Sequence, residues 1–385
     1  MKKILIMLLV VIMAASIFAG CTKEPVSEAT DKPEVTKEPV AEATDEPVAE
    51  VEGYEIAMIT DAGEIDDKSF NQGTWEGIKK FAGDNGLTYK YYKPTEVSDS
   101  AYLAAIDLAI QGGAKVVVTP GFLFEPAIYE AQDLYPDTKF IILDGTPHTP
   151  DYSTFRIESN VYSIFYAEQQ SGFLAGYAAV KDGYTKLGFM GGMAVPAVVR
   201  FGYGFVQGAE YAAKEMGLDS VEIKYHYTGD FAATPKNQTT AATWYADGTE
   251  VIFACGGKVG NSVMAAADAA GAKVIGVDVD QSAESETVIT SAKKELGISV
   301  YAGLQSYYDG AFKGGVSEVL DITVDGVGLP FATSRFNTFS EADYNSIYDA
   351  LVADTDGIRT SILADTDVAA ATDIPTEIVT VTIVE

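Results

Sequence analysis

The chain has 385 residues, 47% of them apolar, with 56 acidic side chains against 26 basic ones and a formal net charge of −30 at pH 7. That length suggests two or three domains with ample core material. So acidic a chain excludes nucleic acid as a partner, because no basic face can neutralise phosphates. Two cysteines and two histidines leave no disulfide framework and no Cys- or His-rich metal cluster.

Residues 1–20 read as a signal peptide. Two lysines precede an apolar stretch of about fifteen residues, shorter than the roughly twenty that a membrane span needs. The stretch ends Ile17-Phe18-Ala19-Gly20-Cys21, which resembles the bacterial lipobox and makes Cys21 the expected lipidation site and new N-terminus. Residues 21–52 then form an expected acidic, disordered stalk, with four prolines and a near-repeat of period fourteen. Two copies without an apolar face cannot bury a core, so the repeat is not a solenoid. A flexible stalk of that length measures roughly 30 Å. The folded body is expected at the extracytoplasmic face of a cell membrane.

From residue 53 the pattern changes to apolar, β-branched runs spaced by amphipathic segments. Strands are expected at 56–59, 89–92, 116–118 and 140–143, then at 187–190, 221–225, 251–254 and 274–277. Strand–helix–strand alternation at this spacing predicts an α/β body with parallel sheets, in two similar halves. A helix over 162–180 is expected to follow the crossing between them, with further helical segments at 302–319 and 341–363. The expected partition is 53–160 plus about 297–326 for the N-terminal lobe, and 161–296 plus about 327–385 for the C-terminal lobe.

Parallel sheets bind ligands beyond the carboxyl ends of their strands. Glycines and carboxylates collect there: Asp61, Gly63, Gly121, Asp144, Gly256, Asp278 and Asp280. Ser69-Phe70-Asn71-Gln72 fits a capping box, which sets Phe70 and Asn71 in a first helical turn at the cleft mouth. Phe70 is then either the first core residue of that helix or a flat ring offered to a planar ligand. Asp61, Asp66 and Asp67 could hold a hard cation, but their spacing fits neither an EF-hand nor the nucleoside hydrolases. Asp61 suits hydrogen bonding to ligand hydroxyls, and Asp66 and Asp67 suit the positive end of a helix. The glycines from Gly202 to Gly208 lack dinucleotide-fingerprint spacing and read as close helix packing. Cys255 reads as an inert core thiol. No P-loop or nucleophile elbow occurs, so catalytic machinery and cofactors are not expected.

The run Asp61-x-Gly63-x-x-Asp66-Asp67-Lys68-Ser69-Phe70-Asn71-Gln72 resembles the opening signature of the basic membrane lipoprotein family, substrate-binding lipoproteins of ABC importers, several of which bind purine nucleosides. The similarity continues through Gly121-Phe122, 140–144, 276–281 and 290–294. The resemblance implies a type I periplasmic-binding-protein fold, two doubly wound parallel-sheet lobes joined by three crossovers. It implies a purine nucleoside in the cleft, its base sandwiched by Phe70 and Phe231. Asp61, Asn71, Asp144, Gly256, Asp278 and Lys294 would supply polar contacts, with Gly121 beside them. It implies a monomeric receptor whose partners are an ABC permease and ATPase. The alternatives are the same fold holding a sugar, a free base or another small ligand; a calcium-dependent nucleoside hydrolase; and a sensor that touches a membrane kinase.

Overall fold

The structure is a computed structural model that describes residues 53–385. The expected signal peptide (1–20), the Cys21 lipidation site and the stalk (21–52) lie outside the described residues. Among the described residues, no helix is long and apolar enough to cross a membrane.

In the first sheet β1 (Ile56–Ile59), β2 (Tyr89–Tyr92), β3 (Val116–Pro120), β4 (Lys139–Leu143) and β5 (Val161–Tyr166) are all parallel. Helices α1 (Phe70–Asn85), α2 (Asp99–Gln111) and α3 (Glu125–Leu134) connect them. The chain then enters the second lobe through α4 (Glu168–Lys181), β6 (Lys186–Gly191), α5 (Pro196–Met216), β7 (Val221–Tyr227), α6 (Pro235–Ala246), β8 (Val251–Cys255), α7 (Val259–Ala270), β9 (Lys273–Asp278) and β10 (Val288–Lys294). It returns to the first lobe for α8 (Leu296–Tyr308) and β11 (Val316–Leu320). It ends in the second lobe with β12 (Val327–Gly328), α9 (Glu341–Ala353) and β13 (Val379–Ile383).

The first sheet has the order β11-β5-β4-β3-β1-β2, and the second β12-β10-β9-β8-β6-β7-β13. The central strands β1, β3 and β8 are buried along their whole length, because helices cover both faces. The chain passes between lobes three times: after Tyr166, after Lys294 and after Leu320. This is a type I periplasmic-binding-protein fold.

Three boundaries differ from expectation. Residues 161–166 are not the start of a helix or of the second lobe, since Val161–Tyr166 pairs with β4 in the first sheet. A short run of aromatic and β-branched residues beside a helix has no decisive period, and here the open edge of β4 captures it. Likewise the expected helix over 302–319 stops at Tyr308. Gly310 and Gly315, at φ 73° and 79°, turn the chain into the edge strand β11. The helix expected over 341–363 ends at Ala353, where Asp354 takes a left-handed conformation.

Helices α4 and α5 meet through glycines. A Cβ on Gly172 or Gly176 of α4 would lie 2.1 Å from the Phe201 or Phe205 carbonyl oxygen of α5. One on Gly204 or Gly208 would lie 2.0 or 1.9 Å from a carbonyl oxygen of α4. Close packing is thus the role of the Gly202–208 run. Gly208→Ala is expected to lower stability by about 1–3 kcal/mol or more, read as an earlier urea midpoint. An unchanged midpoint would mean that the helices separate freely.

Candidate functional site

All nine ligand-binding candidates line one cleft between the lobes, with about 670 Å³ of unfilled space, part of it open to solvent. Asp61, Gly121 and Asp144 come from loops that follow β1, β3 and β4, and Phe70 and Asn71 open α1. Phe231, Gly256 and Asp278 follow β7, end at β8 or close β9, and Lys294 ends β10. Both sets sit at the carboxyl ends of parallel strands, where loop backbones are free to turn inward.

Asp67 organises the first wall. Its carboxylate accepts from the backbone N–H of Ser69, Asn71 and Gln72 at 2.9, 2.9 and 3.0 Å, and so caps α1. This corrects the expected capping box. The Ser69 hydroxyl makes no cap; it crosses the cleft and donates to Asp278 Oδ2 at 2.5 Å. The Gln72 side chain accepts from the Lys68 N–H instead. The Asn71 side-chain amide donates to both Asp61 Oδ1 (2.9 Å) and Asp67 Oδ2 (3.0 Å), which fixes Asp61 toward the cavity. Burial, the largest influence, pushes the Asp61 carboxyl up to about 6. Gly121, at φ 121°, leaves the space beside Asp61 Oδ2 and Phe70 that a side chain would fill.

On the other wall, Phe231 occupies room vacated by Gly192 and Gly256. A Cβ on Gly192 would lie 2.5 Å from its ring, and one on Gly256 3.4 Å. Phe70 and Phe231 therefore face one space from two lobes, and both are half-buried.

The floor is a buried charge cluster. Lys294, 3% exposed, meets Asp144 Oδ2 at 2.6 Å, Glu168 Oε1 at 3.3 Å and Asp278 Oδ1 at 3.6 Å. Its ammonium also stands 4.4 Å from the Phe70 ring centre, with Tyr166 and Phe201 at 5.3 and 5.5 Å. Behind it, Arg200 bonds the other Glu168 oxygen at 2.6 Å. Burial opposes the charge on Lys294, but three carboxylates outweigh it and hold its pKa above the ordinary value. Glu168 is held below its ordinary value, because Arg200 and Lys294 outweigh burial. Asp144 goes the other way: burial dominates and raises it to about 7. Its Oδ1 is buried and has no hydrogen-bond partner, an unsatisfied acceptor in a residue that lines the cavity.

The raised Asp144 carboxyl has a signed consequence. Below about pH 4 it is neutral whether folded or unfolded, and above about pH 7 it is charged in both. Between those limits the unfolded chain releases its proton first, so stability from this group is lost as pH rises. Denaturation midpoints of Asp144→Asn relative to the parent are expected to rise from pH 4 to 7 and then level off. A difference that falls with pH would contradict this.

Glu168, Arg200, Ser69 and the start of α5 (Val195, Ala197, Val198 and Phe201 line the cavity) were not among the sequence candidates. Pro196 at the first turn of α5, just after β6, was a readable signal for the last group. Nothing local marks Glu168 and Arg200, whose partners are 126 and 32 residues away. Cys255 lines the cavity, and burial holds its thiol well above the ordinary value. Among the described residues no group of His, Cys, Asp and Glu could hold a metal ion. Two carboxylates of the Asp61–Asp67 cluster are engaged within the protein, Asp67 with backbone N–H groups and Asp66 with Lys258.

Two lobes that enclose a polar floor between aromatic walls are the arrangement of a solute-binding protein of the kind that serves ABC transporters. Residues 54–366 match the family described as "ABC transporter substrate-binding protein PnrA-like", called Bmp, and the chain belongs to it. It is 30% identical over 359 residues to the "ABC transporter nucleoside-binding protein BmpA" of Lactococcus lactis subsp. cremoris (strain MG1363), covering 87% of this chain and 93% of the relative. It is 30% identical to "Basic membrane protein D" of Borreliella burgdorferi (strain JD1), covering 75% of this chain and 82% of the relative. The crystal structure of an ABC transporter solute-binding protein from Aeropyrum pernix K1 aligns with TM-score 0.64 at 25% identity, covering 82% of this chain and 83% of that one. A protein of this class hands a small molecule to a permease driven by an ATPase.

Proposed function

We propose that the protein captures a purine nucleoside between its lobes and delivers it to an ABC permease. The base stacks between Phe70 and Phe231, and the ribose hydroxyls bond Asp144, Asp278 and their neighbours. The observation that carries the reading is the pairing of two half-buried rings, one from each lobe, over a floor with an unpartnered carboxylate oxygen. Flat faces suit a base, and buried carboxylate acceptors suit the ribose hydroxyls, which a free base lacks. Each lobe supplies half of the contacts, so ligand binding favours the closed form. The relative from Lactococcus lactis, whose name states nucleoside binding, supports the same reading.

In this proposal Cys21 carries lipid, the acidic stalk spaces the body from an extracytoplasmic membrane surface, and the receptor works as a monomer. Cys21→Ser would then move the protein from the membrane to the soluble fraction.

Calorimetry with inosine, guanosine, adenosine, the free bases and plain sugars tests the ligand. Nucleosides are expected to bind at least tenfold more tightly than the corresponding bases. Tight binding of ribose with no nucleoside binding would overturn the reading.

A further inference from the structure

Between the lobes, one short segment of the first makes a row of contacts with the second. Gln281 sits at its centre, 1% exposed, in space that Gly276 leaves by lacking a Cβ. Its Oε1 accepts from the Val277 N–H of its own lobe at 3.0 Å, which fixes the amide. Its Nε2 then donates across the seam to the Lys68 carbonyl at 2.7 Å. Lys68 presents that carbonyl from a left-handed backbone, φ 58°, which costs a non-glycine residue strain unless something repays it. Beside it the Ser69 hydroxyl reaches Asp278 at 2.5 Å. At the next turn Gly73 lets α1 rest against Val279, since a Cβ there would lie 2.7 Å from that side chain. The ion pairs Asp66–Lys258 (2.8 Å) and Lys68–Glu284 (3.6 Å) are exposed and add little.

We propose that Gln281 and Ser69 are positioning residues for capture, forming a latch between the lobes that sets the open–closed balance separately from the ligand. Every contact in it joins protein groups, so it favours closure whatever fills the cavity. The latch makes the first lobe meet the second at a fixed register, with Phe70 one residue beyond Ser69. It also sets how readily the cleft reopens for release to the permease. The last arm of the test rests on the nucleoside reading; the first does not.

The test uses the full chain, labelled for single-molecule energy transfer at Glu130→Cys and Lys236→Cys, both exposed and one on each lobe. Without nucleoside, Gln281→Met is expected to shift the open-to-closed ratio toward open by roughly fivefold, the factor one buried hydrogen bond gives. Ser69→Ala is expected to shift it the same way, and Lys68→Gly, which keeps the carbonyl and relieves the left-handed strain, not to shift it toward open. With inosine, dissociation is expected to speed up about fivefold while association changes less than twofold. A purely structural role would lower the melting temperature and leave the distances alone. Ligand-free distances unchanged in both Gln281→Met and Ser69→Ala would overturn the proposal, and either variant suffices if the other does not fold. If inosine fails to bind any form, the nucleoside reading falls and the ligand-free comparison still decides the latch.

Discussion

Lys294→Met is expected to be the most damaging single substitution in the site, costing about 3–5 kcal/mol of stability and abolishing ligand binding. Three carboxylates surround this ammonium: Asp144, Glu168 and Asp278, all at least 90% buried. Removing the cation leaves their buried charges uncompensated, which is how a broken buried ion pair becomes so costly. Glu168 keeps Arg200 as a partner. Asp144 keeps none, because its other oxygen is already unpartnered. Its pKa, raised to about 7 with the lysine present, rises further without it. The loss is therefore expected to be larger at pH 8, where the carboxyl must ionise, than at pH 5, where it stays protonated in the folded state. The adjacent residue supplies the control. Lys293 pairs with Glu295 at 2.7 Å, both side chains being about a quarter exposed, and Lys293→Met is expected to cost under about 1 kcal/mol. Urea midpoints of the two variants at pH 5 and pH 8 decide the matter. Equal losses, or a Lys294 loss that grows on acidification, would show that the cluster is not what holds the floor together.

The contrast between these two lysines shows what sequence can carry. Alternating apolar runs placed the strands that begin at Ile56, Val116, Leu187 and Val251 within a residue or two, because a parallel strand covered on both faces must be apolar throughout. The rule that ligands lie beyond strand ends located Asp61, Gly121, Asp144 and Asp278, and the structure brings them to one cavity. For Phe231 and Lys294 it was the family resemblance that assigned the contacts to the ligand. What stayed hidden depends on distant partners. Val161–Tyr166 became a strand because β4 offered an edge. Ser69 lost its capping role because Asp67 reaches three N–H groups of the same turn, and that freed its hydroxyl for a residue 209 positions away. Glu168 looks like an ordinary helix-start acid until Lys294 and Arg200 are seen on either side of it.

Phe70 should show the opposite balance from Lys294, with a large effect on ligand and a small one on the fold. Its ring is half-buried and lines the cavity, so truncation removes little from the core. The lysine beneath it keeps its carboxylates, and the Tyr166 and Phe201 rings remain near it. Stability is expected to fall by about 1 kcal/mol or less in Phe70→Ala. Losing a stacked base, at about 1–3 kcal/mol, corresponds to roughly 5- to 150-fold in affinity. Phe70→Leu separates the two contributions of the ring. Leucine fills much of the same apolar space but offers no flat face, so it is expected to restore the melting temperature and leave most of the affinity lost. Phe231→Leu should behave alike, because in the proposed complex the second ring, from the other lobe, would lie on the opposite side of the same guest. If Phe70→Leu bound inosine as tightly as the parent, the ring would be serving as apolar filler. A ligand without a planar face, such as a sugar, would then fit the cavity equally well.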